Sequence, residues 1–145
     1  MTEFSKYKLS ETLSKSLKNI NFINPTPIQD KSIPLILEGN DILGSAQTGT
    51  GKTAAYSIPI LELLLKSKKS SVLILIPTRE LAKQVLNVIH SLLGFKSPIN
   101  SVSLIGGESM SKQLSLLKRK PRIYVGTPGR INDHLERRTV NFKDV

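Results

Sequence analysis

The chain has 145 residues, of which 39% are hydrophobic, enough for the core of one domain but hardly of two. Because it has no cysteine, it cannot form disulfide bonds or thiolate metal sites. No apolar run approaches the ~18 residues of a membrane span. Both observations lead us to expect a soluble, cytoplasmic protein. The net charge of +10 arises in residues 66–145, because residues 1–65 carry six lysines against six acidic residues. This basic half predicts a polyanionic partner, and solvated surface charge is the alternative for each basic cluster.

Two helices are predicted before residue 40. Leucines at helical spacing after a capping Ser10 predict a helix over residues 10–21. The second helix is expected to begin at Thr26, with Pro27 at its first position. Gln29 falls three residues after Thr26 and completes a capping box.

The next elements follow a predicted turn at residues 39–41. The apolar pair Ile42 and Leu43 is expected to form a short strand. A helix from about Gly51 to Leu65 follows, and Pro59 should bend it because proline removes one backbone donor.

The remaining chain alternates between strands and helices. Strands are predicted over residues 72–76, 102–105 and 122–125, and helices over 78–93, 109–117 and 127–137. The inner face of the 78–93 helix is expected to hold Leu81, Val85, Val88, Ile89 and Leu92. Such alternation is typical of an α/β protein with a parallel sheet and right-handed crossovers.

Eight residues have the pattern of a phosphate-binding loop: Ala46, Gln47, Thr48, Gly49, Thr50, Gly51, Lys52 and Thr53. The two glycines let backbone N–H groups approach phosphate oxygens, and the start of the following helix adds partial positive charge. We expect Lys52 to reach the β- and γ-phosphates of a nucleotide and the Thr53 hydroxyl to bind Mg²⁺, which makes both candidate catalytic residues. The strict pattern has glycine in place of Ala46. The structural alternative is a simple turn at Gly49 and Gly51, with Thr53 as a helix cap.

Four segments each follow a predicted strand: residues 46–53, 77–81, 106–107 and 127–130. Ligands of parallel sheets bind beyond the carboxyl ends of the strands. The sequence therefore predicts one site formed by these four loops at one edge of the sheet.

Taken together, these segments resemble the DEAD-box family of ATP-dependent RNA helicases. Phe22, Thr26 and Gln29 lie in a segment similar to the family's adenine-reading segment, and the resemblance implies that Gln29 holds the adenine edge. It also implies that Phe4, an isolated upstream aromatic, stacks on the base. The alternatives are a capping role for Gln29 and a core-anchoring role for Phe4. Asn21 stands where the family usually has glycine, but asparagine also tolerates left-handed backbone conformations.

The resemblance implies three RNA-contacting segments, which contain Pro77, Thr78 and Arg79, then Gly106 and Gly107, and last Thr127, Pro128, Gly129 and Arg130. The two arginines can bind phosphate oxygens in a forked geometry, and the two threonines precede helix N-termini. Such contacts grip the sugar-phosphate backbone, so binding should be largely independent of base sequence and weaken with salt. Capping threonines and solvated arginines are the structural alternative.

The implied fold is a three-layer, RecA-like α/β P-loop fold with a mainly parallel sheet. Residues 1–38 would form the adenine-reading region and residues 39–145 the P-loop core, ending before the Asp-Glu-Ala-Asp strand and without the second RecA-like domain. A gap or exposed edge in the sheet is then expected. The implied parent protein is an RNA helicase that uses ATP and Mg²⁺, with RNA and no membrane as partner. Because the hydrolytic carboxylates are not visible, little turnover is expected from this chain alone. A non-catalytic RNA-binding module and another P-loop NTPase or kinase are the alternatives.

Overall fold

The structure, a computed structural model, describes residues 3–94 and 96–145, in which a short 3₁₀ helix at Glu3–Tyr7 precedes six α-helices and three β-strands. The helices are α1 (Glu11–Asn19), α2 (Pro27–Leu37), α3 (Lys52–Lys66), α4 (Arg79–Leu93), α5 (Met110–Leu117) and α6 (Pro128–Glu136). The strands are β1 (Val72–Leu75), β2 (Ser101–Leu104) and β3 (Ile123–Gly126). Within this part of the chain, no helix combines the length and the apolar character needed to span a membrane.

The strands form one parallel sheet in the order β1-β3-β2, which confirms the predicted sheet type. α4 connects β1 to β2, and α5 connects β2 to β3. In the register of the central strand, Gly126 is paired with Leu75 on one side and Leu104 on the other. The loops that follow the three strands therefore leave from the same edge of this sheet.

The described residues fall into two compact units. The first contains those among Met1–Lys68 and Val88–Lys96, and the second contains Lys69–Asn87 and Ser97–Val145. α4 contributes its beginning to the second unit and its end to the first. The sheet lies wholly in the second unit.

Packing in the first unit is dominated by α2 against α3, with α1 joined to α3 at its start. The Ser10 hydroxyl caps α1 by accepting from the Leu13 N–H (3.4 Å), as the sequence predicts. The Ser10 N–H donates to Oε2 of the buried Glu62 on α3 (2.9 Å), and Lys66 lies 3.0 Å from the other carboxylate oxygen. The first turn of α1 is thus fixed to the middle of α3.

The core of the second unit contains Val102, Leu104 and Ile131, and the partly buried side chains packed against it are Leu73, Leu116, Leu117, Tyr124, Val140 and Phe142. β3 ends on a glycine because this position has no room for a side chain. A Cβ on Gly126 would lie 2.6 Å from the Leu104 carbonyl oxygen and 2.7 Å from Cδ1 of Ile131. The absence of a side chain lets α6 pack directly against the end of the sheet.

Two expectations from the sequence are wrong. Residues 40–47 contain no strand, and the Leu43 side chain is fully exposed. A strand needs a partner for its backbone groups, and residues 42–43 belong to no sheet within the described part of the chain. In α4, Leu81 is 41% exposed, and Ala82 takes the buried position together with Val85, Ile89 and Leu92. Ala82 fits the 3-4-3 spacing of that face, whereas Leu81 lies one position away from it.

Candidate functional site

The predicted phosphate loop runs into the start of α3. Gly49 and Gly51 both have left-handed backbone conformations, with φ of 82° and 84°. The first helical hydrogen bond runs from the Ala55 N–H to the Gly51 carbonyl (3.0 Å), so the amides of residues 52–54 precede the helical ladder. The Lys52 ammonium group donates to the Ala46 carbonyl (2.5 Å). This loop has the backbone geometry and the charge that suit an anion.

The side chain of Gln29 joins the start of α2 to this loop. It is buried, its Oε1 accepts from the Thr26 N–H (3.0 Å), and its Nε2 donates to the Gly51 carbonyl (3.2 Å). A Cβ on Gly51 would collide with Nε2 of Gln29. The glutamine half of the predicted capping box is therefore formed, and adenine reading by Gln29 stays a prediction.

Phe4 is placed as a core residue. Its ring is 2% exposed, is stacked on Phe22 with centroids 6.2 Å apart, and meets Tyr7 edge-on. Tyr7 in turn donates to the Asp30 carboxylate of α2 (2.6 Å). These contacts hold the 3₁₀ helix against the first unit, and stacking of Phe4 on a base stays a prediction. Asn21 has φ of 58°, the left-handed conformation that the sequence predicts it to tolerate.

Thr53, the expected Mg²⁺ ligand, has a neighbour that sequence reasoning missed. Its side chain is hydrogen-bonded to the Tyr56 hydroxyl, which opposes the rise that burial causes in the pKa of Tyr56. Lys52 and Tyr56 also line a cavity of about 470 Å³, whose apolar walls include Ile28, Ile36 and Ile60.

Among the described residues, no group of three or more His, Asp or Glu side chains is arranged to hold a metal ion. Thr53 offers one hard oxygen, which suits Mg²⁺ when phosphate oxygens and water supply the other ligands.

The second unit contains a cavity of about 640 Å³ at the edge of the sheet where the strands end. It is lined by Pro77, Thr78, Arg79, Glu80, Gly106, Thr127, Gly129 and Arg130. Residues from all three predicted RNA-contacting segments are thus brought together. The sequence did not single out Glu80 for this cavity.

The Arg79 side chain lies over the turn that follows β2. Gly107 has φ of 79°, and a Cβ there would collide with the Arg79 guanidinium group, whose Nη2 is also 3.6 Å from the Cβ position of Gly106. The resemblance implied that these two glycines form an RNA-contacting segment. In the structure, the guanidinium group of Arg79, which lines the same cavity, occupies the space next to them.

Arg130 is held from behind by a buried polar network. Its Nη1 donates to the Glu108 carbonyl (3.1 Å) and to Oε1 of Gln113 (3.2 Å). The same Oε1 lies 2.7 Å from Nε2 of His134, whose Nδ1 lies 2.7 Å from the Thr139 hydroxyl. Sequence reasoning missed Gln113, His134 and Thr139. The available signal was a polar residue in the middle of α5 and another in α6.

Asp133 is one of the two acidic residues of α6. It forms an exposed ion pair with Arg137 one turn later (2.9 Å). Hydrogen bonding to Arg137 lowers the pKa of the Asp133 carboxyl group. It is a surface charge on α6 and faces the Arg137 side chain.

A helix that starts on a glycine-rich, lysine-containing loop, together with a parallel sheet whose following loops form a basic cavity, defines an α/β protein of the P-loop class. The family model described as DEAD/DEAH box helicase matches residues 26–145. The chain therefore belongs to the DEAD/DEAH box helicase family, as the resemblance of its motifs indicates.

Curated relatives agree with this assignment. The ATP-dependent RNA helicase CshA of Listeria monocytogenes is 46% identical over 146 residues, covering 100% of this chain and 28% of that protein. The ATP-dependent RNA helicase DeaD of Buchnera aphidicola is 45% identical over 98% of this chain and 24% of its own length. The chain thus spans about a quarter of the length of these curated relatives.

Solved structures match along almost the whole chain. A DEAD box protein from Methanococcus jannaschii superposes with a TM-score of 0.87 at 43% identity, covering 94% of this chain and 38% of that one. The RNA helicase Prp28 from Chaetomium thermophilum, solved bound to ADP, gives a TM-score of 0.86 at 34% identity, covering 99% and 36%. These matches confirm the predicted RecA-like α/β fold class.

Proposed function

We propose that this chain is the nucleotide- and RNA-contacting part of an ATP-dependent RNA helicase, in which ATP binding and hydrolysis drive the unwinding or remodelling of RNA duplexes. The observation that carries the proposal is the cavity of about 640 Å³ in which three separate sequence segments meet with two arginines, in a chain that also carries a phosphate loop. A phosphate loop alone is compatible with many NTPases and kinases. The basic cavity supplies a site for the second ligand that a helicase needs, the RNA.

RNA is proposed to bind through its phosphates in this cavity. Arg79 and Arg130 supply planar guanidinium groups that suit phosphate oxygens, and Thr78 and Thr127 precede the N-termini of α4 and α6. Backbone contacts of this kind do not read bases, so we propose recognition that is largely independent of RNA sequence.

ATP is proposed to bind at residues 46–53. The amides of residues 52–54 and the Lys52 ammonium group would hold its phosphates, and the Thr53 hydroxyl would be a ligand of the accompanying Mg²⁺, which neutralises phosphate charge. Phe4, Phe22, Thr26 and Gln29 are proposed to form the adenine side of the site. In this assignment, residues 1–38 are the adenine-reading region and residues 39–145 the P-loop core.

The proposal is tested by asking whether the two ligands are coupled in the full-length protein. Binding of fluorescent single-stranded RNA is measured by anisotropy with and without a non-hydrolysable ATP analogue, in the wild type and in Lys52→Ala. We expect the analogue to raise RNA affinity about 5- to 150-fold, the usual range of coupling between sites, and this gain to disappear in the variant. An RNA affinity that is the same with and without the analogue would identify a simple RNA-binding module and contradict the proposal.

A further inference from the structure

We infer that Gln113 and His134 are positioning residues that hold the Arg130 guanidinium group in the orientation in which it grips an RNA phosphate. This inference rests on the proposed function, since it takes RNA to bind in the cavity that Arg130 lines. It is carried by a chain of hydrogen bonds that is buried behind the cavity, on α5 and α6.

Gln113 has one orientation that satisfies all its neighbours. The side chain is 1% exposed, and its Nε2 donates to the Ile105 carbonyl (2.9 Å). The amide nitrogen must face this carbonyl, because a carbonyl oxygen can only accept. Oε1 therefore points the other way, where it meets both Arg130 and His134.

This arrangement determines the tautomer of His134, which is 0% exposed. Its Nε2 lies 2.7 Å from Oε1 of Gln113, an acceptor, so Nε2 carries the proton and donates. With Nε2 protonated, the neutral ring leaves Nδ1 as an acceptor 2.7 Å from the Thr139 hydroxyl, whose single proton is shared between Nδ1 and the His134 backbone carbonyl (3.1 Å). Burial, followed by the nearby Arg130 and Arg137, lowers the pKa of His134, against the opposing effect of Asp133. The imidazole is thus kept in its neutral, donating form.

The network binds one end of the Arg130 guanidinium group and leaves the other end to a ligand. Both hydrogens on Nη1 are used, one by the Glu108 carbonyl and one by Gln113. Nε and Nη2 have no hydrogen-bond partner among the described residues, and the side chain lines the cavity. Because the group is planar and rigid, fixing Nη1 fixes the plane in which the remaining donors lie. If the Arg130 guanidinium group were no longer held in this plane, RNA binding should weaken roughly 3- to 10-fold, which is the cost of immobilising one long side chain on binding.

A matched pair of amide substitutions tests the inference in the full-length protein. In His134→Gln, the amide nitrogen can reach the place of Nε2 and still donate to Gln113, whereas the shorter side chain of His134→Asn cannot. We expect RNA affinity within about twofold of wild type for the first and a roughly 3- to 10-fold loss for the second. Affinity for an ATP analogue should be unchanged in both. His90→Asn, at the chain's other histidine, controls for the substitution itself.

A double-mutant cycle separates positioning from general stability. In the Arg130→Gln background, His134→Asn should cause no further loss of RNA affinity, because the group that it positions is already gone. Gln113→Met, which keeps the length but not the acceptor, provides the same cycle if His134→Asn does not fold. Additive losses, or equal losses from both amide variants at His134, would overturn the inference alone. An Arg130→Gln variant with wild-type RNA affinity would instead remove Arg130 from the RNA site, and so overturn the proposed function as well.

Discussion

At residue 107 both the backbone conformation and the position of a neighbouring side chain favour glycine. The backbone is left-handed, and the Arg79 guanidinium group occupies the space that a side chain would fill. Gly107 does not line the cavity of about 640 Å³ itself, but it leaves room for Arg79, which does. Its own atoms need not contact RNA.

We expect Gly107→Ala to displace Arg79 and to weaken RNA binding roughly 3- to 10-fold, in addition to a loss of about 1 kcal/mol in unfolding free energy from backbone strain. RNA anisotropy and thermal unfolding measure the two effects. Gly39→Ala is the matched control, since Gly39 has φ of 87° and a Cβ there would meet no atom within 4 Å. It should lose similar stability while keeping RNA affinity, and an equal loss of RNA affinity in both variants would show that the collision with Arg79 is irrelevant.

The Gln29 side chain joins the start of α2 to the loop before α3. Removing its side chain in Gln29→Ala leaves the Thr26 N–H and the Gly51 carbonyl without their partners, which should lower stability by about 1 kcal/mol. If Gln29 also reads the base, adenine nucleotides should bind more weakly while guanine nucleotides bind as before. Calorimetric titration with ADP and GDP measures this difference. Ser10→Ala, which removes the cap of α1 instead, should change neither affinity. Equal loss for both nucleotides in Gln29→Ala would leave Gln29 with a capping role only.

At the scale of elements, the contact between α1 and α3 through Glu62 should make stability depend on pH. Burial alone would raise the pKa of Glu62, but the hydrogen bonds from Ser10 and the ion pair with Lys66 lower it below its ordinary value. The ionised form is therefore favoured by folding. Its contribution is fully present above the unfolded pKa, near 4.3, and is lost as pH falls through the folded pKa.

We expect the urea midpoint of the wild type to fall between pH 6 and pH 3 more steeply than that of Glu62→Gln. At pH 7 the variant should be less stable by about 1 to 3 kcal/mol, because a buried acceptor of a backbone N–H is weakened. Glu38→Gln, at an exposed position, serves as the control. Parallel pH profiles for wild type and Glu62→Gln would refute this role for the carboxylate.

Local sequence signals predicted most elements because their determinants are local. Ser10, Thr26 and Ser109 mark helix starts, and the apolar run at residues 72–76 marks a strand, since capping and hydrophobic period act within a few residues. The strand expected at residues 42–43 did not form, because strand formation depends on a partner elsewhere. The network of Gln113, His134 and Thr139 escaped prediction for the same reason. These residues meet only once α5 and α6 are packed, and no spacing along the chain encodes that contact.

At the scale of the whole molecule, the positive charge is concentrated in the unit that contains the cavity. The second unit carries twelve Lys and Arg against five Asp and Glu, a net charge of +7, whereas the first carries +3. Most of this charge lies outside the cavity, for example in residues 118–122. Part of the attraction for RNA should therefore be long-range and part should come from direct phosphate contacts.

Salt dependence separates these two parts. For single strands, log K falls with log salt concentration by roughly 0.7 per phosphate neutralised, so the double variant Arg79→Gln/Arg130→Gln should reduce the slope by about 1.4. RNA anisotropy between 50 and 200 mM salt measures it. Lys18→Gln/Lys31→Gln removes the same charge from exposed positions of the first unit and should leave the slope nearly unchanged. Identical slopes for the two double variants would mean that only the total charge matters.

If residues 46–53 bind ATP as proposed, the hydrogen bond from Lys52 to the Ala46 carbonyl has a consequence for nucleotide exchange. The Ala46 carbonyl takes the place that a phosphate oxygen would have as acceptor of the Lys52 ammonium group. An incoming nucleotide would therefore replace one acceptor by another, and the ammonium group would keep a hydrogen-bond partner throughout. On departure of the product, the lysine has an acceptor within its own loop to return to. Under the proposed function, this internal competition should lower the affinity for nucleotide and ease its release.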